Sequence, residues 1–262
     1  MTARGADRGT SPSRADRAVS DTLGFVFVFT LVLSVVGVTF AVGYGGLQDT
    51  RDFERLNNAE RAFDVMADNF DDMVRRGAPS RATEVKVADA QLRMAEPTTV
   101  NVSVTNESGI TESYGFEPEP IVYDTGEGRI VYVAGAVFRE DAGGAVVVRH
   151  SELNLNESRV MIPVVTTRGA GETTAIGGTT TVLVRAARPG GQRESFGVST
   201  ARTDGQHDVT VNVTTPRPAA WERELSRHDD AACTVVGDTV SCTVTDVERV
   251  YVQETLVDIT FE

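Results

Sequence analysis

"RAVSDTLGFVFVFTLVLSVVGVTFAVGYGGLQD", residues 17–49, is the stretch that decides the fold of this 262-residue chain. No charged residue occurs from Thr22 to Gln48. As an α-helix this run would be about 40 Å long, against roughly 30 Å for the hydrocarbon core of a bilayer. The apolar part of a secretory signal is shorter, usually about 7–15 residues. The sequence therefore predicts a membrane-spanning helix rather than a simple cleaved signal.

The charges before this run predict the orientation of the chain in the membrane. Before Val19 there are four arginines, Arg4, Arg8, Arg14 and Arg17, against two aspartates, Asp7 and Asp16. Because basic flanks stay in the cytoplasm, the N-terminus should be cytoplasmic and the bulk of the chain extracellular. The predicted parts are a basic, disordered leader at 1–18, a transmembrane helix at 19–48, an amphipathic helix at 49–77 and a β-rich exterior domain at 78–262.

The start of the apolar run, "RAVSDTLGF", resembles the "RAVSP-(V/I)-G" start of haloarchaeal type IV pilins and pilin-like surface proteins. The chain also resembles a group of single-span haloarchaeal membrane proteins with the same plan. The pilin resemblance implies that a prepilin peptidase cuts between Ala18 and Val19. It also implies contacts with sister pilin-like subunits through the N-terminal helix. Asp21 stands where the family usually has proline, and Leu23 stands where it has glutamate, at the fifth mature position.

A second helical pattern follows in "RDFERLNNAERAFDVMADNFDDMVRR", residues 51–76. Its apolar residues recur at alternating steps of three and four, which is typical of a helix with one buried face. Two partners fit this face: the chain's own β domain, or sister helices in a coiled coil or filament core. The stripe consists of Phe53, Leu56, Ala59, Phe63, Met66, Phe70 and Met73.

From Thr83 onward about ten short segments alternate apolar and polar residues, with turn-prone stretches between them. This pattern predicts a sandwich of antiparallel sheets, so the expected fold class is α+β. "PRPAAWERELSRH", residues 216–228, predicts one short helix. In the last segment Val250 and Val252 are at even positions, whereas Val257 and Ile259 are at odd ones. A bulge near residues 254–256 would reconcile the two parities.

The two cysteines lie in "CTVVGDTVSC", residues 233–242. If Gly237 and Asp238 form a two-residue hairpin turn, Cys233 and Cys242 face each other as a non-hydrogen-bonded pair, with Cα atoms about 4.5 Å apart. That distance is near the short end of the disulfide range. A cross-strand disulfide is therefore predicted, with free thiols or a metal site as alternatives.

Four of the eight asparagines lie in N-x-S/T sequons: Asn101, Asn106, Asn156 and Asn212. Asn101 and Asn212 alternate with valines, so they should face solvent if the valines face the core. Two interpretations stay open, namely N-glycosylation in an exterior compartment or polar residues that merely fill an exposed face.

Composition limits the function classes. The chain has 38 acidic and 25 basic residues, a net charge of −13, and a single lysine, Lys86. Nucleic acid is excluded as a partner because phosphate contacts need a basic face. The acidic charge alone fits ordinary solubility, and together with the scarcity of lysine it indicates adaptation to high salt.

No catalytic motif is found, and His150, His207 and His228 do not have metal-ligand spacing. No cofactor, metal or enzymatic activity is therefore expected. The preferred interpretation is a non-enzymatic, pilin-like surface protein in contact with membrane lipid, a minor component of a pilus-like or secretion assembly. A permanently anchored binding or adhesion domain is the alternative, and an anchored hydrolase ranks third.

Overall fold

The computed structural model describes residues 14–189, 196–200 and 206–262 of the chain, which divides into two compact units at Arg51/Asp52. There are two described α-helices, α1 (Arg14–Arg76) and α2 (Pro218–Leu225). The described strands are β1 (Ser80–Met94), β2 (Thr99–Asn106), β3 (Thr111–Phe116), β4 (Ile121–Asp124), β5 (Arg129–Val133), β6 (Ala136–Asp141), β7 (Gly144–Arg149), β8 (Asn154–Asn156), β9 (Arg159–Gly169), β10 (Ala175–Ala187), β11 (Phe196–Thr200), β12 (His207–Thr214), β13 (Ala232–Val236), β14 (Thr239–Val247) and β15 (Val250–Phe261).

These strands form two sheets. The large sheet has the order β7-β6-β5-β4-β1-β10-β15-β9-β8, with β11 also paired to β15. The small sheet has the order β13-β14-β12-β2-β3. The pairing of β9 with β15 is parallel, and every other described strand pair is antiparallel. The predicted α+β class with a β-rich domain is confirmed.

The second unit has three layers, because the large sheet is apolar on both faces. One core lies between the two sheets and includes Val102, Val211 and Trp221. The other lies between the large sheet and the C-terminal half of α1, and includes Phe63 and Phe70. A central sheet covered on both sides needs apolar residues at successive positions, whereas the small sheet, covered on one side, keeps strict alternation.

Helix α1 is one continuous helix, in which the predicted transmembrane helix continues into the predicted amphipathic helix. It begins at Arg14, five residues before the predicted start at Val19, so residues 14–18 of the predicted leader are helical. These residues include arginine and alanine, which are good helix formers and extend the helix of the apolar run. Residues 1–13 of the leader lie outside the described residues.

The apolar stripe of α1 packs against the large sheet of the same chain, the first of its two predicted partners. Six of its seven members, Leu56 through Met73, are buried in the helix-side core. The Phe70 ring meets the Tyr132 ring edge-on, with centroids 4.8 Å apart. Phe53 is the exception, because it is 56% exposed. The Arg139 guanidinium lies over its ring, with Cζ 5.4 Å from the ring centroid.

Strand β15 has no bulge at residues 254–256, so that prediction is wrong. Its parallel register with β9 continues without a shift from Val250 to Ile259. Val250 and Val252 belong to the core between the sheets, whereas Val257 and Ile259 belong to the core beneath α1. The parity of the apolar residues changes because the covering layer changes along the strand, so no bulge is needed.

Helix α2 forms within the predicted segment and covers the edge of the large sheet. Pro218 lies in its first turn, and Trp221 and Leu225 are buried against the core between the sheets. The Arg223 guanidinium donates a hydrogen bond to the Ala145 carbonyl on the edge strand β7. This contact occupies a carbonyl that an edge strand would otherwise present to another chain.

Candidate membrane helix and exposed sites

The N-terminal half of α1 contains a segment that is long enough and apolar enough to cross a membrane. Leu23–Tyr44 spans 22 residues with a mean hydropathy of 2.6, and none of it is buried within the protein. At the helical rise its length is about 33 Å, close to the thickness of bilayer hydrocarbon. An uninterrupted helix also satisfies every interior backbone N–H and C=O group, as lipid requires.

The few polar side chains of this segment are suited to an apolar solvent. The Thr30 hydroxyl donates to the Val26 carbonyl and the Ser34 hydroxyl donates to the Thr30 carbonyl, each at 2.8 Å. Both hydroxyls are thus satisfied within the helix, so neither would be left unpaired in lipid. Tyr44 stacks on Phe40 at the end of the segment, where an aromatic ring with a polar tip fits a membrane–water interface.

The residues of the predicted cleavage site lie in the first turns of α1. Ala18 and Val19 follow the start of the helix at Arg14. Their backbone is helical, and their side chains lie outside the described part of the chain.

The C-terminal half of α1 is fastened to strand β7 by a cluster that the sequence did not reveal. The Arg149 guanidinium donates to Asp64 at 2.7 Å, to Asp68 at 2.7 Å and to Asp71 at 2.8 Å. Burial acts to lower the pKa of Arg149, but these three hydrogen bonds outweigh it and the pKa is raised. For Asp71, burial raises the pKa, and the hydrogen bond from Arg149 opposes that rise. Aspartates at i, i+4 and i+7 share a helix face, so one guanidinium can reach all three.

A buried carboxylate joins α2 to the loop after β7. Glu224 is 1% exposed and accepts hydrogen bonds from the Ser151 amide at 2.8 Å and the Ser151 hydroxyl at 2.6 Å. Its other oxygen lies 2.5 Å from His150 Nδ1. Serine, histidine and glutamate therefore meet, but the serine bonds directly to the carboxylate. The histidine does not lie between the serine and the carboxylate as it does in a nucleophilic triad, and the cluster joins α2 to this loop.

The other two histidines, His207 and His228, lie on β12 and after the end of α2. Burial lowers the pKa of His228, and the neighbouring Arg227 charge lowers it further. His207 is buried. Among the described residues, no group of three histidine, cysteine, aspartate or glutamate side chains could hold a metal ion.

One open cleft lies beside the start of α2. It has a volume of about 370 Å³, and its lining includes Arg129, Glu140, Asp141, Arg217 and Pro218. The Arg217 guanidinium donates to Glu140, and the Arg129 guanidinium lies 4.0 Å from the same carboxylate. Two guanidinium groups and two carboxylates leave the cleft without net charge.

Cys233 and Cys242 form a disulfide between β13 and β14, as the predicted hairpin register requires. The two residues are direct cross-strand partners, as are Val236 and Thr239 on either side of the turn. Their Cα atoms are 4.1 Å apart. Gly237 has a φ of +61°, which favours glycine at this turn position.

The four sequon asparagines occupy two kinds of position. Asn101 and Asn212 lie within β2 and β12 of the small sheet, and they are direct cross-strand partners. The flanking Val100, Val102, Val211 and Val213 are buried, so both asparagines belong to the outer face, as predicted. Asn106 and Asn156 end strands β2 and β8, where each chain turns into the next strand.

Comparison with known proteins gives a family without an assigned activity. A family model described as a family of unknown function (DUF7289) matches residues 17–260. No curated protein and no solved structure matches the chain.

Proposed function

The chain belongs to the family of unknown function DUF7289, and from its structure we propose a pilin-like, membrane-anchored surface protein that performs no chemistry of its own. In this proposal the apolar half of α1 anchors the chain in lipid and is its assembly element. The β-rich unit lies outside the cell, and the chain is a minor component of a pilus-like or secretion assembly. Its partners are membrane lipid, a prepilin peptidase and sister pilin-like subunits.

The observation that carries this proposal is the contrast between the two halves of one helix. Leu23–Tyr44 is apolar and has no protein contacts that bury it, whereas Leu56 to Met73 present a stripe that is buried on the β-rich unit. Such a helix can anchor the protein or pack with other helices through its first half. Its second half packs against the large sheet of the β-rich unit.

One observation favours the alternative of a permanently anchored binding or adhesion domain. The apolar segment includes Leu23, where the pilin-like pattern would have a carboxylate, and follows Asp21 in place of proline. A filament subunit that lacks this carboxylate loses one charge available for pairing between subunits. The two hypotheses differ in whether the leader is removed.

The N-terminus of the protein from its native membrane separates them. The pilin-like proposal predicts a mature start at Val19, with the mass of residues 1–18 missing from the intact protein. An Ala18→Asp variant should retain the leader, because a charge then precedes the bond to be cut. An Ala6→Asp variant, with the same change far from that bond, should be processed normally. A start at Met1 or Thr2 in the unaltered protein would contradict processing and support a static anchor.

The single lysine provides a test of orientation. Lys86 lies exposed on β1, and no other side-chain amine occurs in the chain. A membrane-impermeant amine reagent should therefore label Lys86 on intact cells if the β-rich unit is extracellular. A Lys86→Arg variant measures the background from the α-amine. Labelling that requires cell lysis would contradict the proposed orientation.

A further inference from the structure

The outer face of the small sheet is chemically unlike the rest of this acidic chain. Charged residues make up 24% of the sequence, with a net charge of −13. On the outward positions of β2, β3, β12, β13 and β14, however, charge is confined to one end, where Asp208 on β12 lies beside the exposed Asp246 on β14. Most of the other outward residues are threonine, serine or asparagine.

The hydroxyls of this face pair with one another across the strands. Ser103 and Ser113 are joined at 3.0 Å, Thr210 and Thr243 at 3.0 Å, and Thr214 and Thr239 at 2.9 Å. The result is an uncharged, hydrogen-bonding surface. In an acidic chain, such a surface suits a neutral, hydroxyl-rich partner, because away from the end with Asp208 and Asp246 no carboxylate loses its water when the surface is covered.

Asn101 lies on β2, beside the edge strand of this face, with open space on one side. Its Oδ1 is 3.1 Å from the place that a side-chain Cβ would occupy at Gly115, its partner on the edge strand β3. The asparagine therefore leans over a position without a side chain, toward the edge of the sheet. Asn212 has no such opening, because it lies on the central strand β12 between Asn101 and Ser241.

Asn106, close to Asn101 in the sequence, has another role. Its Oδ1 accepts hydrogen bonds from the Ser108 amide and the Ile110 amide, both at 3.0 Å. These bonds close the turn between β2 and β3 as an Asx-turn does. The side chain and the backbone of its sequon are thus both engaged in the hairpin.

We propose that Asn101 carries an N-linked oligosaccharide that lies over the uncharged outer face of the small sheet. In the transfer, Asn101 Nδ2 bonds to the anomeric carbon of an oligosaccharide linked to a polyprenyl phosphate. The bond from that carbon to the phosphate oxygen breaks, the phosphate leaves with the electron pair, and the amide loses one proton to solvent. The sugar hydroxyls then hydrogen-bond to the serine and threonine hydroxyls beneath them. This inference rests on the proposed extracellular location.

The test is peptide mass spectrometry on the full-length protein from its native host, with fragmentation that keeps glycans attached. Trypsin places Asn101 and Asn106 on one peptide, residues 94–129, so fragment ions must assign the sugar between them. We expect the glycan on Asn101 and an unmodified Asn106 and Asn212. Sugar on Asn106 or Asn212 in place of Asn101 would overturn the assignment.

A matched pair of variants separates loss of the sequon from disturbance of the sheet. Ser103→Ala and Ser113→Ala each remove the same hydroxyl pair, but only Ser103→Ala destroys the sequon of Asn101. Ser103→Ala should abolish the glycan, whereas Ser113→Ala and Ser103→Thr should keep it. A glycan that persists in Ser103→Ala would refute the proposal.

Labelling of Lys86 on the same cells distinguishes a failure of the glycan proposal from a failure of the proposed extracellular location. An unmodified Asn101 in a protein whose Lys86 is labelled from outside overturns the glycan alone. An unmodified Asn101 with Lys86 protected until lysis overturns the extracellular location, and the glycan with it.

Discussion

Leu23–Tyr44 and Leu56–Met73 belong to one helix, yet their apolar side chains are arranged in different ways. The first segment is apolar on all sides and wholly exposed, and the second has one apolar stripe that is wholly buried. A uniform surface suits a uniform apolar solvent such as lipid, while a stripe suits a single packed face with water on the other sides. The comparison shows that the distribution of apolar residues around a helix indicates its environment, although the backbone is the same in both segments.

The largest effect should come from removing an aromatic ring in the packed half. Phe70→Ala leaves a cavity against Tyr132 and should lower the free energy of unfolding of the β-rich unit by about 3–5 kcal/mol. Phe40→Ala makes the same change in the exposed half and should leave that free energy unchanged. Urea denaturation of both variants in detergent measures the difference. Equal losses would break the comparison, since they would mean that the apolar half also packs on the folded unit.

A charge placed in each half tests the two environments directly. Val35 and Val65 are almost equally exposed in the structure, at 57% and 53%. Val35→Arg should nevertheless disfavour membrane insertion by about 2.5–3.5 kcal/mol, because it puts a charge near the centre of the span. Val65→Arg faces water and should cost less than about 0.5 kcal/mol.

Alkaline extraction of membranes provides the measurement for this pair. We expect a substantial fraction of Val35→Arg in the soluble fraction and full retention of Val65→Arg. Equal retention of the two variants would show that Leu23–Tyr44 does not cross the bilayer as an isolated helix.

Reduction of the disulfide should affect the folded unit alone. The bridge closes a loop with a sequence separation of 9, for which the chain-entropy relation gives about 2–3 kcal/mol. A Cys233→Ser/Cys242→Ser variant should lose about this much free energy of unfolding while it remains in the membrane. A release from the membrane on reduction would mean that anchoring depends on the small sheet.

The sequence predicted those features that depend on neighbouring residues. The apolar span, the buried stripe and the Cys233–Cys242 hairpin are all local patterns, and the structure agrees with each. The predicted bulge in β15 is wrong. It assumes that all apolar residues of the strand face one core, whereas the large sheet has a core on each face. The parallel pairing of β9 with β15 depends on strands about 90 residues apart.

The side-chain clusters show the same limit. Glu224 contacts Ser151 over a separation of 73 residues, and Arg149 contacts Asp71 over 78 residues. Charged residues with such distant partners look like ordinary surface charges in the sequence. Their role appears only after the fold brings α2 and α1 to strand β7 and the loop after it.

The smallest predicted effect concerns the charges that hold the packed half. Arg149→Met leaves three aspartates without their cation and should lower the free energy of unfolding by about 1.5–3 kcal/mol near neutral pH. Arg76→Met removes an exposed ion pair with Asp72 on the same helix and should lower the free energy of unfolding by only about a few tenths of a kcal/mol.

The pH dependence of the Arg149→Met effect follows from Asp71. Burial raises the pKa of Asp71 in the folded protein, and the hydrogen bond from Arg149 opposes that rise. Without Arg149 that pKa rises further, so the folded state binds a proton that the unfolded state releases. Acidification toward the ordinary aspartate pKa near 4 should therefore reduce the difference in free energy of unfolding between Arg149→Met and the unaltered protein. Urea denaturation at several pH values measures this, and a difference that widens on acidification would show that the aspartates are stabilised by something other than this guanidinium.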